Sequence, residues 1–253
     1  MSVKSVDFES YETTLPTLME MFDPANFLPE GRQVIIKPNL VNASPHPVTT
    51  PPDICAEIVL WLRERFSNPV VIAEGTGEIT MDTFQVFDRL GYTQLAKKLN
   101  LELIDLNEAE TVLLKNSGNS VFPEFHMPKI AMESFIISVP VLKAHSLAQI
   151  TGTLKNMMGF APPRYYQADS HWKKSVFHRD MHRSIVELNS YRTPDLTVMD
   201  AVTGLADYHL GGRECSPPVN KLIGGTDPVE VDREAASLLG LDWRRISHLV
   251  WVD

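Results

Sequence analysis

The sequence predicts an α/β fold: a mostly parallel sheet with flanking helices and an irregular excursion at about 160–182. Two patterns carry this prediction. Short apolar runs rich in Val and Ile recur with helical stretches between them, the arrangement of parallel strands joined by crossover helices. The run 135–142, FIISVPVL, is apolar throughout, as a strand buried on both faces must be. With 253 residues, 43% hydrophobic and 22% charged, the chain can bury a sizeable core, and a single domain over 1–253 is expected, with 160–182 as a lid or small subdomain.

The strand-like runs, in order, are 34–36, 70–73, 101–106, 135–141, 196–199, 221–223 and 249–252. Between the first two, 52–66 places Ile54, Ile58, Val59, Leu62 and Phe66 at a helical period, and Asp53 near its start favours the helix N-terminus. A second helical region, 83–99, is broken by Gly91 and then resumes. A further helix over 232–239 follows the turn signal Asp227-Pro228, where Asp227 is best explained as a cap. The proline-rich stretch 44–52 and the segment 160–182, which holds three of the eight histidines, interrupt the regular alternation.

Composition excludes several classes of function. The formal net charge is −9, against the basic face that a nucleic-acid partner favours. Residues 1–14 hold no basic stretch leading into an apolar one, and no apolar run approaches the ~20 residues that span a bilayer, so a cytoplasmic protein with no membrane partner is expected. Cys55 and Cys215 have no CxxC spacing, which argues against an iron–sulfur cluster, a thiolate zinc site or a disulfide framework.

The chemistry concentrates where apolar strands stop, which is where open α/β sheets bind ligands. Lys37 and Asn39 follow the first strand, and Asn39 could equally serve its own turn. Lys143 and His145 alternate as they leave the 135–142 run, so an ammonium and an imidazole would stand side by side. A helix over 149–158 would put Thr151 and Lys155 on one face with Asn156 beside them, and Thr151-Gly152-Thr153 would offer free backbone N–H groups to an anion unless Thr151 is only a cap. Asp200 ends another strand and is expected at the same sheet edge as Lys143, as general base, metal ligand or partner to a lysine. His178 and His182 have the i, i+4 spacing that can hold a metal from a helix face if a carboxylate joins them, and two solvated histidines are the plainer reading. Glu74-Gly75-Thr76-Gly77 after a strand suits a tight turn, with Glu74 facing a phosphate or metal.

Several segments also line up in order: IIKPNLV at 35–41, VTTPP at 48–52, IAEGTG at 72–77, GYTQLAKKLNLELIDLNE at 91–108, IISVPVLKAH at 136–145, TGTLKNMMGF at 151–160, LTVMDAVTGL at 196–205 and GGTDPVEVD at 224–232. Together they resemble the family catalogued as domain of unknown function 362, over nearly the whole chain. That resemblance implies no reaction. Many relatives carry a ferredoxin-like module with cysteine-rich cluster motifs, which this chain lacks, so no electron-transfer role is carried over.

The leading expectation is an enzyme in which Lys37, Asn39, Lys143, Thr151, Lys155 and Asn156 hold a small phosphate- or carboxylate-bearing ligand and His145 and Asp200 move protons. Glu74, His178 and His182 would serve a divalent metal, Mg, Mn or Zn. The rivals are a non-catalytic anion or metal sensor or carrier, and a methyltransferase-like cofactor binder using the Glu74–Gly77 loop, for which Asp105 lies beyond the usual spacing of the acidic partner. Tyr165, Tyr166 and Trp172 with Lys173 and Lys174 suit a cover over an anionic ligand, or equally a subunit contact in an oligomer.

Overall fold

The structure is a computed structural model and describes residues 3–22, 28–168 and 170–251. The first half runs β1 (Lys4–Asp7), α1 (Tyr11–Glu20), β2 (Val34–Pro38), α2 (Pro52–Arg65), β3 (Val70–Glu74), α3 (Thr83–Arg89), α4 (Tyr92–Leu99) and β4 (Glu102–Asp105). The middle contains β5 (Thr111–Lys115), β6 (Glu124–Pro128), α5 (Lys129–Glu133), β7 (Phe135–Val139), β8 (Val141–His145), β9 (Gln149–Thr151), α6 (Thr153–Asn156) and α7 (Pro163–Tyr166). The last third contains α8 (Met181–Asn189), β10 (Leu196–Leu205), β11 (Lys221–Gly225), α9 (Pro228–Leu238) and α10 (Ser247–Val250).

Nine strands form one sheet, ordered β1-β11-β10-β7-β2-β3-β4, with β8 and β9 attached beside β10, while β5 and β6 pair separately. The strands from β10 to β4 are parallel, and β11 and β1 close one edge antiparallel. From β2 the chain builds outward to β3 and β4, whereas β7 and β10 are added on its other side, so the strand order reverses between β2 and β7. Such a reversal leaves a crevice at the carboxyl ends of the strands.

Alternation along the strands feeds two cores. Ile35, Val71, Ile136 and Met199 enter one, with Phe160, Phe177, Ile185 and Ala235 from the covering helices and turns. Ile36, Ile72, Ile137 and Val198 enter the other, with Leu15, Ile58, Phe87 and Tyr92 from the helices on that side. Because successive strand residues face opposite ways, a continuous apolar run is what two covered faces require.

The helices begin where the sequence supplies acceptors or a preset φ. Pro52 opens α2 with Asp53 in its first turn, Asp82 and Gln85 form a capping box on α3, and Asp227 accepts from Val229 and Glu230 to start α9. Gly91, at φ 87°, separates α3 from α4, as its position in the apolar period predicts.

Three expectations need correction. The 135–141 run is two strands, because Pro140 has no N–H to continue a ladder; β7 ends at Val139 and β8 begins at Val141. The proposed helix over 149–158 begins as strand β9, and only 153–156 is α-helical, so Thr151 and Lys155 do not share a helix face. At 249–252 the chain is in α10 through Val250, its Leu249 docked in the first core; Val252 lies outside the described residues. The excursion at 160–182, of which Asp169 is not described, is anchored by buried Tyr166 and Phe177, and the Tyr166 hydroxyl accepts from His126 N at 2.7 Å. Among the described residues no helix is long and apolar enough to cross a membrane.

Glu187 on α8 shows how the covering layer is fastened. Its buried carboxylate accepts from Ser120 N and Oγ, Val121 N and Phe122 N at 2.7–2.9 Å. Burial alone would raise its pKa, but these donors outweigh it and hold the group below its ordinary range. Glu187→Ala strands several buried N–H groups and is expected to cost about 2–4 kcal/mol, read as a lower urea midpoint with an unchanged m value.

Candidate functional site

A cavity of about 520 Å³ opens at the carboxyl ends of β2, β3 and β8, on the side of the sheet covered by α6 and the 160–182 segment. Asn39, Glu74, His145, Lys155, Asn156 and His178 reach its wall, as do Lys173, Lys174, Tyr208 and His209. The floor is fixed by a buried network. Lys37 Nζ donates to Glu74 Oε2 at 2.6 Å and to Asn156 Oδ1 at 3.1 Å, and Glu74 Oε1 accepts from Gly75 N at 2.9 Å. Asn156 Nδ2 donates back to Ser138 Oγ at 3.0 Å and Lys37 O at 3.3 Å, tying α6 to β2 and β7. Burial pushes the Lys37 ammonium below its ordinary pKa, and Glu74 opposes that shift.

The network needs bare backbone at two points. A Cβ on Gly159 would collide with Glu74 Oε1 and the end of Lys37, and one on Gly75 would collide with Gly159 O and Asn107 Oδ1. These two glycines let the Glu74 turn and the 157–160 turn pass against each other.

Besides Lys173, which donates to Met81 O at 2.7 Å, three other lysines surround the cavity, and their partners differ. Lys143 lies behind the wall, donating to Val48 O at 2.6 Å and Asn39 Oδ1 at 2.7 Å; burial and the nearby Lys155 push it down to about 7. Lys174 is held by the carbonyls of Gly75, Met158 and Gly159 at 2.8–3.1 Å, and burial first, with Lys37, brings it to about 7. Lys155 faces the cavity, pushed down to about 8 by burial, and among the described residues it has neither a hydrogen-bond partner nor an ion pair.

The cavity's histidines are held uncharged. His145 Nδ1 accepts from Leu147 N at 3.0 Å and Ala148 N at 3.1 Å, so the neutral ring carries its proton on Nε2. Burial, then Lys155 and His209, drives its pKa far down. His209 stacks on His145 with ring centres 3.8 Å apart and is lowered to about 3 by burial, Lys155 and Lys143; its buried Nδ1 has no partner among the described residues. His178 is lowered by burial and Lys155.

Of the anticipated site residues, the fold brings Asn39, Glu74, His145, Lys155, Asn156 and His178 to one cavity and places Lys37 and Lys143 just behind it. Asp200 goes elsewhere. It shares the strand parity of Val198, on the opposite face of the sheet, where it accepts from Tyr11 OH at 2.7 Å and stands 3.3 Å from His46 Nε2. Thr151 lies buried in β9, and the anion cradle expected after it is already filled: Asp232 on α9 accepts from Thr153 N at 2.6 Å and Leu154 N at 3.0 Å. The metal set separates as well. Glu74 is paired with Lys37, and His182 Nδ1 faces His248 Nδ1 at 2.8 Å, away from His178. Among the described residues no three His, Cys, Asp or Glu side chains are grouped as a metal would need.

The sequence reading missed His209 and Asp232. His209 sits in Tyr208-His209-Leu210-Gly211, directly after β10, and its position in a loop leaving the carboxyl end of a strand was the available signal. Asp232 lies inside an amphipathic helix and carries no such mark.

The model of the family described as domain of unknown function (DUF362) matches residues 34–237. No curated protein matches the sequence. Among solved structures, the chain is similar to the lactate racemase apoprotein from Thermoanaerobacterium thermosaccharolyticum, with a TM-score of 0.55 and 14% identity, a likeness of fold. The alignment covers 91% of this chain and 55% of the racemase, so the chain spans about half that protein's length.

Two measurements probe the floor. Gly159→Ala is expected to split the Lys37–Glu74 pair and cost about 3 kcal/mol in urea unfolding, since it both overpacks and unpairs buried charge. Asp232 is raised by burial from 3.8 to about 6, so the folded state holds its proton more tightly than the unfolded chain. Its contribution is therefore complete below about pH 4 and is lost as pH rises through about 6, a swing of roughly 3 kcal/mol. Asp232→Asn should flatten that part of the stability–pH curve, and an unchanged slope would place the titrating group elsewhere.

Proposed function

This chain belongs to the DUF362 family, and we propose that it is an enzyme acting on a small carboxylate- or phosphate-bearing ligand, held by Lys155 and worked on by the stacked histidines. The observation that carries this reading is Lys155 itself, a cation facing a cavity with no anionic partner among the described residues. A lysine is rarely left this way, since burial disfavours its charge by more than an exposed site would. An anionic ligand supplies the missing counter-charge.

The histidines give such a ligand something to react with. His145 Nε2–H is a fixed donor for a ligand oxygen, because Nδ1 is occupied by two backbone N–H groups. His209, uncharged with a free Nδ1, is the proton acceptor. A bound anion raises its basicity by cancelling the field of Lys155 and Lys143, so proton affinity increases when substrate is present. The racemase of similar fold acts, by its name, on lactate, a ligand of this class.

The methyltransferase-like reading has less support. Asp105, the carboxylate next to the Glu74 turn, is occupied by Thr83 Oγ1 at 2.7 Å and Asn107 N at 2.8 Å, and Lys174 covers the Gly75 carbonyl.

Phosphate, acetate and lactate should raise the thermal midpoint of the wild type through mass action, and Lys155→Met should abolish the increment. For acetate and lactate, affinity should fall roughly tenfold per pH unit above about pH 8, as Lys155 loses its proton. Stabilisation that survives Lys155→Met would refute the site. Hydrogen–deuterium exchange at the carbon beside the acid group, followed by NMR, should occur with wild type and stop in His209→Ala. Binding without turnover of any acid tried would instead favour a carrier.

A further inference from the structure

Five separate loops each bring an apolar side chain to the mouth of the same cavity: Val41 after β2, Ile79 after β3, Leu147 between β8 and β9, Trp172 in the 160–182 segment, and Tyr208 with Leu210 after β10. Four of these are well exposed, Ile79 at 44%, Leu147 at 51%, Trp172 at 43% and Tyr208 at 44%. Single exposed apolar residues are ordinary on a protein surface, but here they share one cavity, whose buried polar groups are Asn39, Glu74, His145, Asn156 and Lys174, while Asn42, Glu78 and Lys173 are part-buried in its wall. The aromatic rings also stand against the histidines, Trp172 at 6.5 Å from His178 and Tyr208 at 4.9 Å from His209. At about 520 Å³ the cavity is in the size range, ~300–1,000 Å³, that encloses drug-sized ligands, far beyond the handful of heavy atoms in phosphate or lactate.

We infer that the ligand is an amphipathic anion: an acid head at Lys155 and His145, and an apolar, preferably aromatic, tail held between the loops at the rim beside Trp172 and Tyr208. This rests on the anion site proposed above and adds the class of substrate. A bare anion would leave the rim wet and its apolar area exposed, whereas a tail removes both surfaces from water and stacks on rings already in place. The two ends have different chemistry, and each can be altered without the other.

Isothermal titration with matched probes tests this: inorganic phosphate against phenyl phosphate, and acetate against phenylacetate. In the wild type the phenyl compounds should bind at least about tenfold more tightly than the bare anions, the gain expected from burying a ring. Trp172→Ala and Tyr208→Ala should each erase most of that gain while inorganic phosphate binds within about twofold of wild type. Lys155→Met should weaken all four probes. Equal affinity for bare and phenyl-bearing anions in the wild type would overturn the amphipathic ligand and leave the anion site standing. Loss of no affinity in Lys155→Met would overturn the anion site itself, and the inference with it. Rim variants that bind phenyl phosphate as wild type does would also overturn it.

Discussion

The buried Lys37–Glu74 pair is the interaction on which the site depends. Its two charges lie at 2.6 Å in a region where Lys37 is fully enclosed and Glu74 nearly so. Removing either charge from such a pair leaves the other desolvated, typically at ~3–5 kcal/mol, so the geometry around it is tightly specified. Asn156 Oδ1 and Pro38 O take up the remaining donors of Lys37, Asn156 also connecting it to Ser138, while Gly75 N satisfies the second oxygen of Glu74. One ion pair thereby fixes the ends of β2, β3 and β7 and the start of the 157–160 turn, and the crevice at the strand-order reversal acquires a rigid floor.

Around that floor, positive charge is confined by backbone oxygen. Lys143 and Lys174 are both deep in the protein, and each is met by carbonyl groups, with Asn39 as the single side-chain acceptor. These bonds orient the ammonium groups without neutralising them. Burial first, and the field of Lys155 next, keep His145, His178 and His209 in their uncharged form, with Lys143 adding to the effect at His145 and His209. A ligand anion would lower the energy of the lysines and raise the basicity of the histidines together, which couples binding to proton transfer by electrostatics alone.

Polar positions on strands and helices are read differently by the fold than by a linear scan. Lys37, Glu74, Lys143 and Asp200 all stand at or beside strand ends. Parity sends Asp200 with Val198 to the far face, where it joins Tyr11 and His46, and Glu74 and Glu78 are carboxylates on the cavity wall. The Thr151-Gly152-Thr153 segment does open a short helix and does bind a carboxylate there, but the carboxylate is Asp232 of the same chain. Local sequence can identify a set of free N–H groups; whether an internal side chain reaches them depends on how α9 packs.

By itself the sequence determined the mostly parallel α/β architecture, both covered faces of the sheet and the strand ends at which polar side chains collect. Those features follow from the period of apolar residues and from proline, glycine and capping signals, all of which act over a few neighbours. Only the tertiary structure decided which lysine remains unpaired, that His209 stacks on His145, and that 160–182 is anchored by Tyr166 and Phe177. These outcomes depend on residues far apart in sequence whose approach is set by strand order and helix packing, and no local pattern encodes such distances.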